Sequence, residues 1–225
     1  MHRSPRHVPA RQLHRNPPRR AACRDARRAA PLASLVIHGP DGLDADPLPL
    51  LLDAAAGPYG TLAGHCARAN PLWTRAGTGG IDALAIFHGP EHYVSPAWYP
   101  AKQEHGRVVP TWNYVIVQAR GRLRAIDDRD WLRRQVTALT QQQEAGSAAP
   151  WAVGDAPADY LDKMLGAIVG LELRIERLSG KCKLSQNQPA ANRDGVIAGL
   201  QALGTSRAAV MAAEVAGRMT PPRAD

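Results

Sequence analysis

Residues 169–176, Val-Gly-Leu-Glu-Leu-Arg-Ile-Glu, form the most regular stretch of the chain. Apolar and polar side chains alternate there with a period of two, which is the pattern of a β-strand with one buried face. Pro47 and Pro49 lie in a second apolar run and favour an edge position for it, because proline cannot donate to a β-ladder. Gly- and Pro-rich turns separate the upstream apolar runs, which are 32–37, 46–52, 61–69, 83–87 and 111–119. The pattern predicts an antiparallel barrel or sandwich.

Helical signals follow the predicted strands. Asp127 or Asp128 can cap a helix, since either carboxylate can accept from a free N–H of the first turn. The apolar stripe of that helix has the spacing i, i+4, i+7 and comprises Leu132, Val136 and Leu139. Further helices are indicated at Pro157, after Asn192 and after Thr205. The fold class predicted from these patterns is mainly β with flanking helices, an α+β arrangement.

The net charge of +8 is confined to one end of the chain. Residues 1–30 contain nine arginines and one acid, whereas residues 31–225 contain nineteen basic and nineteen acidic side chains. The first thirty residues are rich in Arg and Pro and poor in large apolar residues, so a disordered arm is expected. A DNA-binding arm, an export signal and a segment that is not an authentic N-terminus remain alternatives.

Cysteine content and hydropathy indicate the compartment. Cys23, Cys66 and Cys182 are an odd number of widely spaced thiols, which argues against a disulfide framework and favours a reducing compartment. No apolar run approaches the roughly 18 residues of a membrane helix, so no membrane partner is expected. We therefore expect a reducing compartment.

Three clusters of polar and aromatic residues stand out: 64–71, 89–114 and 180–187. Two of the five tryptophans and three of the five tyrosines fall between residues 93 and 114. Aromatic rings beside cations, amides and hydroxyls are what a flat ring carrying a phosphate would need. The alternative is that these rings belong to a barrel core or a dimer interface. No nucleotide-binding loop, catalytic triad or metal-ligand spacing is found, so no catalytic or metal-binding residue is predicted.

Several blocks of the sequence resemble the PaiB-like FMN-binding regulators. The blocks occur in family order over about residues 31–203 and read GTLAGHCARANPLW (60–73), LAIFHGPEHYVSPAWYPAK (84–102), VVPTWNYVIVQARG (108–121), IVGLELRIERLSGKCKLSQN (168–187) and DGVIAGL (194–200). The resemblance implies an antiparallel FMN-binding split β-barrel, with FMN at the interface of a cytoplasmic homodimer that acts as a negative transcriptional regulator. Residues 1–30 do not resemble the family's usual start.

The resemblance and the chemistry of FMN together suggest roles for individual residues. Arg68 and Lys102 are candidates for the phosphate, because a dianion requires cationic donors. Donors to the phosphate or the ribityl chain are Asn70, Ser95 and Thr111. The isoalloxazine ring would contact Trp98, Tyr99, Trp112 and Asn113. The site would be closed by Lys183, Ser185 and Gln186.

Two functional classes stay open on the sequence. The first is a regulator that binds FMN and has DNA as a candidate partner. The second is an FMN-dependent oxidoreductase or flavin reductase that uses a nicotinamide donor, since the flavin itself would carry that chemistry. The predicted organisation is an arm at 1–30, a flavin-binding domain at 31–205, and a C-terminal helix and tail at 206–225.

Overall fold

The computed structural model describes residues 31–39 and 42–217. Predictions for the arm at 1–30 and for the tail beyond residue 217 lie outside these residues. The strands are β1 Leu32–Gly39, β2 Gly42–Pro49, β3 Leu51–Asp53, β4 Thr61–Ala67, β5 Ile81–Val94, β6 Thr111–Ile126 and β7 Ile168–Lys183. The helices are α1 Leu72–Ala76, α2 Ala101–His105, α3 Arg129–Glu144, α4 Ala158–Gly166, α5 Ala190–Ala202 and α6 Ser206–Gly217, with 3-10 turns at Pro96–Trp98 and Val153–Asp155.

The described strands form one antiparallel sheet in the order β2-β1-β5-β6-β7-β4-β3. The predicted α+β class with flanking helices is therefore confirmed. The hydrogen-bonded ladder does not close into the expected barrel, because β2 and β3 are its two edges. Pro47 and Pro49 lack the N–H groups that a further ladder from β2 would need. Only Leu50 separates the two edge strands, and its N–H donates to Pro31 O at 2.9 Å.

The described residues fall into two compact units. The first unit comprises residues 88–117 and 180–217, and the second comprises 31–39, 42–87 and 118–179. In the first unit the buried apolar side chains include Val94, Leu184, Val196, Leu200 and Met211. In the second unit they include Leu35, Leu62, Phe87, Leu171 and Ile175. The units are not sequential segments, since β5, β6 and β7 each contribute residues to both.

The four helices predicted from the sequence begin in the structure within a few residues of their predicted starts. Asp128 caps α3, and its Oδ1 accepts from Trp131 N at 2.6 Å. Leu132 is buried as predicted, and Val136 packs against the same core cluster, whereas Leu139 is half-buried and the second buried residue of α3 is Gln135. The short helices α1 and α2 have five residues each and were not predicted, because so few residues carry no helical period. None of the helices within 31–39 and 42–217 has the length and apolarity that a membrane span requires.

Candidate functional site

Several predicted site residues converge in the first unit. Thr111 and Asn113 lie on one face of the first residues of β6, and Lys183 ends β7. The Nζ of Lys183 donates to Thr111 Oγ1. Asn113 and Ser185, which are 72 residues apart in sequence, share two hydrogen bonds of 3.1 and 3.3 Å. We call this group, Thr111, Asn113, Lys183 and Ser185 with Tyr99, the Asn113 site.

Part of the Asn113 site is buried. The exposed fractions of Asn113, Ser185 and Tyr99 are 0, 4 and 4%. Burial raises the pKa of the Tyr99 hydroxyl, and a hydrogen bond with Ser185 opposes that effect. Because their polar groups bond to one another away from solvent, these three side chains form a rigid base beneath the half-exposed Thr111 and Lys183.

The backbone at Ser185 is constrained. Ser185 has a φ of +57°, and it alone among the described non-glycine residues has a positive φ. Such a left-handed conformation costs about 1–2 kcal/mol for a residue with a Cβ. The turn is held by Gln186, whose Oε1 accepts from Leu184 N at 2.5 Å and whose Nε2 donates to Cys182 O at 2.8 Å. Predicted site residue Gln186 therefore closes the turn that positions Ser185.

Trp98 is half-buried and packs against α5 in the first unit. A Cβ added at Gly199 of α5 would lie 2.3 Å from the Trp98 ring, and one at Gly195 would lie 2.0 Å from Trp98 O. Both glycines are therefore required for this contact. Ser95 caps the 3-10 turn that carries Trp98, and its Oγ accepts from Ala97 N at 3.2 Å. Lys102 is exposed on α2.

Trp112 lies on the opposite face of β6 from Asn113, since neighbouring strand residues point to opposite sides. It is 48% exposed and meets Tyr93 edge to face, with ring centroids 6.0 Å apart. Its indole N–H donates to Glu91, which also pairs with Arg207. Sequence reasoning missed Glu91 and Arg207, because 116 residues separate them and no local pattern links them.

Arg68 and Asn70 lie in the second unit. The Arg68 guanidinium binds both carboxylate oxygens of Asp127, at 2.9 and 2.6 Å, and donates to the carbonyl oxygens of Gly166 and Ile168. The Arg68 side chain thereby lowers the pKa of Asp127. These contacts use four of the five guanidinium N–H groups, so the geometry gives no support to the predicted phosphate contact.

Asn70 has similarly local partners. Its Nδ2 donates to Asp46 Oδ1 at 2.7 Å, and its Oδ1 accepts from Leu72 N at 2.8 Å at the start of α1. The indole N–H of Trp73 donates to Arg68 O at 2.8 Å, and the guanidinium lies 5.8 Å from the Trp73 ring centre. We call Arg68, Asn70, Trp73 and Asp127 the Arg68 site.

A second buried polar contact in this unit was also missed. His65 Nδ1 and Gln135 Oε1 lie 2.8 Å apart, which joins β4 to α3. Gln135 is 5% exposed and its Nε2 has no hydrogen-bond partner within the described part of the chain. In that same part, no group of three His, Cys, Asp or Glu side chains is arranged to hold a metal ion.

Comparison with known proteins identifies the family. A family model described as "Putative FMN-binding domain" matches residues 11–177. The chain belongs to this FMN-binding family, and its cofactor is FMN. The match begins at residue 11, within the segment 1–30 that was expected not to resemble the family, and ends before the cluster at 180–187.

Two relatives refine this assignment. "Protease synthase and sporulation protein PAI 2" of Bacillus subtilis is 31% identical over 140 residues, which cover 62% of this chain and 64% of that protein. It confirms the resemblance to the PaiB-like family. An uncharacterized protein of Emericella nidulans is 36% identical over 188 residues, covering 70% of this chain and 75% of that protein.

Solved structures show the same fold at low identity. The flavocytochrome Anf3 of Azotobacter vinelandii is 15% identical with a TM-score of 0.55, over 76% of this chain and 69% of that one. The FAD and heme binding protein of Mycobacterium smegmatis is 20% identical with a TM-score of 0.54, over 76% and 73%. At these identities the likeness concerns the fold alone.

Proposed function

We propose that the protein is an FMN-binding negative transcriptional regulator that acts as a cytoplasmic homodimer. The observation that carries the flavin part of the proposal is the convergence of Thr111, Asn113, Lys183 and Ser185 in one hydrogen-bonded site. The regulatory part is supported by the relationship to PAI 2 of Bacillus subtilis.

The donors of the Asn113 site fit FMN chemically. The Lys183 ammonium and the Thr111 hydroxyl are half-exposed neighbours, and together they would bind the phosphate or a ribityl hydroxyl. The buried hydrogen bonds of Asn113, Ser185 and Tyr99 would fix the positions of Thr111 and Lys183. The exposed Trp112 ring offers stacking area on the other face of β6. When bound, FMN supplies a ring that can change its redox state.

A homodimer is supported by the outward face of β6 in the first unit. Val115 and Val117 are buried, whereas the alternate residues Trp112, Tyr114 and Ile116 are only partly covered within one chain. Three large side chains in a row on an exposed strand are typical of an interface. A second copy of the chain would cover this face, which is opposite to the face of β6 that carries Thr111 and Asn113.

DNA binding by the FMN-loaded dimer tests the regulatory role. The protein, at several salt concentrations, is mixed with a fragment carrying its own promoter and with a scrambled fragment of equal length. A salt-sensitive shift of the promoter fragment alone is expected. A variant that lacks residues 1–28 measures how much the basic arm contributes. Equal affinity for both fragments would contradict sequence-specific regulation.

An FMN-dependent oxidoreductase is the second candidate. The observation that favours it is the exposed Trp112 ring, which Tyr93 contacts edge to face and which offers one flat face for a nicotinamide or adenine ring. The FMN-loaded protein would then oxidise NADH or NADPH when an acceptor such as free flavin is present, and Trp112→Leu would raise KM more than it lowers kcat. Turnover no faster than that of free FMN would exclude this candidate.

A further inference from the structure

A groove in the second unit lies apart from every predicted site residue. It has a volume of about 490 Å³, within the ~300–1,000 Å³ that small-molecule sites occupy. Val36 and Leu84 are half-buried and form part of its apolar floor. They are partners in the ladder between β1 and β5, so the floor is a continuous piece of sheet.

Two arginines line this groove without an ion-pair partner among the described residues. Arg120 of β6 and Arg177 of β7 are both exposed. On the same face of β6, Arg122 pairs with Asp82 at 3.0 Å and Arg124 pairs with Glu172 at 2.7 Å. Sequence gives no reason to distinguish these arginines, whereas the structure leaves the two in the groove available for a ligand.

The strands approach closely at the bottom of the groove. A Cβ added at Gly121 would lie 1.8 Å from Arg174 O and 3.2 Å from Glu176 N. Gly121 therefore sits against the backbone of β7 between Arg174 and Glu176. Arg120 and Arg177 both line the groove beside this contact.

We propose that this groove binds a small organic anion with a flat apolar body, at a site separate from the FMN site. The phosphate or carboxylate group binds Arg120 and Arg177, which can each donate two parallel hydrogen bonds. The apolar body lies on Val36 and Leu84. Glu176 also lines the groove and repels anions, so the site disfavours ligands that carry a second anionic group.

Binding of phenyl phosphate to the FMN-saturated protein tests the proposal. Titration calorimetry at low salt is expected to show saturable binding to the wild type, without release of FMN. The double variant Arg120→Gln/Arg177→Gln should weaken binding by about tenfold or more, because it removes both charge-assisted contacts. Arg124→Gln/Arg133→Gln removes the same charge outside the groove and should change the affinity by less than about twofold.

The remaining measurements separate this site from the flavin site. Glu176→Gln should strengthen binding of phenyl phosphate, because one repulsive charge is removed. The double variant Arg120→Gln/Arg177→Gln should keep the FMN affinity of the wild type. Absence of saturable binding, equal weakening by the control pair, or loss of FMN from Arg120→Gln/Arg177→Gln would each overturn the proposal. The first two outcomes do not bear on whether FMN uses the Asn113 site, whereas loss of FMN would link this groove to the flavin.

Discussion

The Asn113 site and the Arg68 site contain similar residue types but differ in structure. Each combines a cation, an amide and an aromatic ring, drawn from separate parts of the sequence. In the Asn113 site, a buried network supports Thr111 and Lys183 at the half-exposed edge. In the Arg68 site, the cation and the amide both bond to carboxylates, those of Asp127 and Asp46, whereas Lys183 bonds to the neutral hydroxyl of Thr111. Similar residue types thus differ in the charge of their hydrogen-bond partners, and this difference is our reason for proposing FMN at the Asn113 site.

The largest expected effect concerns the packing of Trp98 in the first unit. Gly199→Ala places a Cβ 2.3 Å from the ring, so the ring or the helix must move. We expect a loss of about 2 kcal/mol in the free energy of unfolding, as is usual for overpacking. Urea denaturation measures it. Gly146→Ala, where nothing lies within 4 Å, is the control and should change the stability by less than about 1 kcal/mol.

The next effect concerns the base of the Asn113 site. Asn113→Ala removes one of the two hydrogen-bond partners of the buried Ser185 hydroxyl, which keeps its bond with Tyr99, so the variant should lose about 1 kcal/mol of stability. FMN affinity should fall with it, because the turn at Ser185 loses its support. Thermal unfolding with and without FMN measures both changes. Unchanged stability would show that the network does not hold the site together.

A smaller effect is expected for the half-exposed Lys183 of the Asn113 site, and it concerns the affinity for FMN. Lys183→Ala removes the ammonium group next to Thr111 and should weaken FMN binding by about tenfold, which corresponds to about 1.4 kcal/mol. The unfolding midpoint without FMN should hardly change. Lys181→Ala, two residues away on β7, is the matched control. If Lys183→Ala and Lys181→Ala weaken FMN binding equally, the loss reflects the overall positive charge of the protein rather than a direct contact. The assignment of Lys183 is then wrong.

The smallest effect is expected for Arg68→Gln, because the ion pair with Asp127 is partly exposed to solvent. The variant should lose some thermal stability and keep its FMN affinity. If Arg68→Gln instead loses FMN and keeps its stability, the result would support the predicted contact between Arg68 and the FMN phosphate.

The stability effect of Arg68→Gln should depend on pH. Arg68 lowers the pKa of Asp127 in the folded protein, so the ion pair stabilises above the usual carboxyl pKa of about 4. That stabilisation is lost as the pH falls through the lowered pKa. The difference in Tm between wild type and Arg68→Gln should therefore be larger at pH 7 than in strong acid, where only the hydrogen bonds to the Gly166 and Ile168 carbonyl oxygens remain. A difference that is the same at pH 7 and below pH ~2 would contradict a contribution from the ion pair.

Local patterns predicted much of the fold and less of the site. Alternation located β7, and the Asp128 cap located α3, because both signals lie within a few residues. The sequence did not predict the bonding of Arg68 to Asp127 or the contact of Trp98 with Gly199. Those partners are about 60 and 100 residues away, and only the assembled chain brings them together.

Gel filtration of the protein after incubation with FMN tests the central claim most directly. We predict flavin absorbance that co-elutes with a species of twice the 24.2 kDa chain mass, at one FMN per chain. Lys183→Ala should lose this absorbance under the same conditions, and Arg68→Gln should retain it. A colourless wild-type protein, or flavin that Lys183→Ala retains and Arg68→Gln loses, would contradict the assignment of FMN to the Asn113 site.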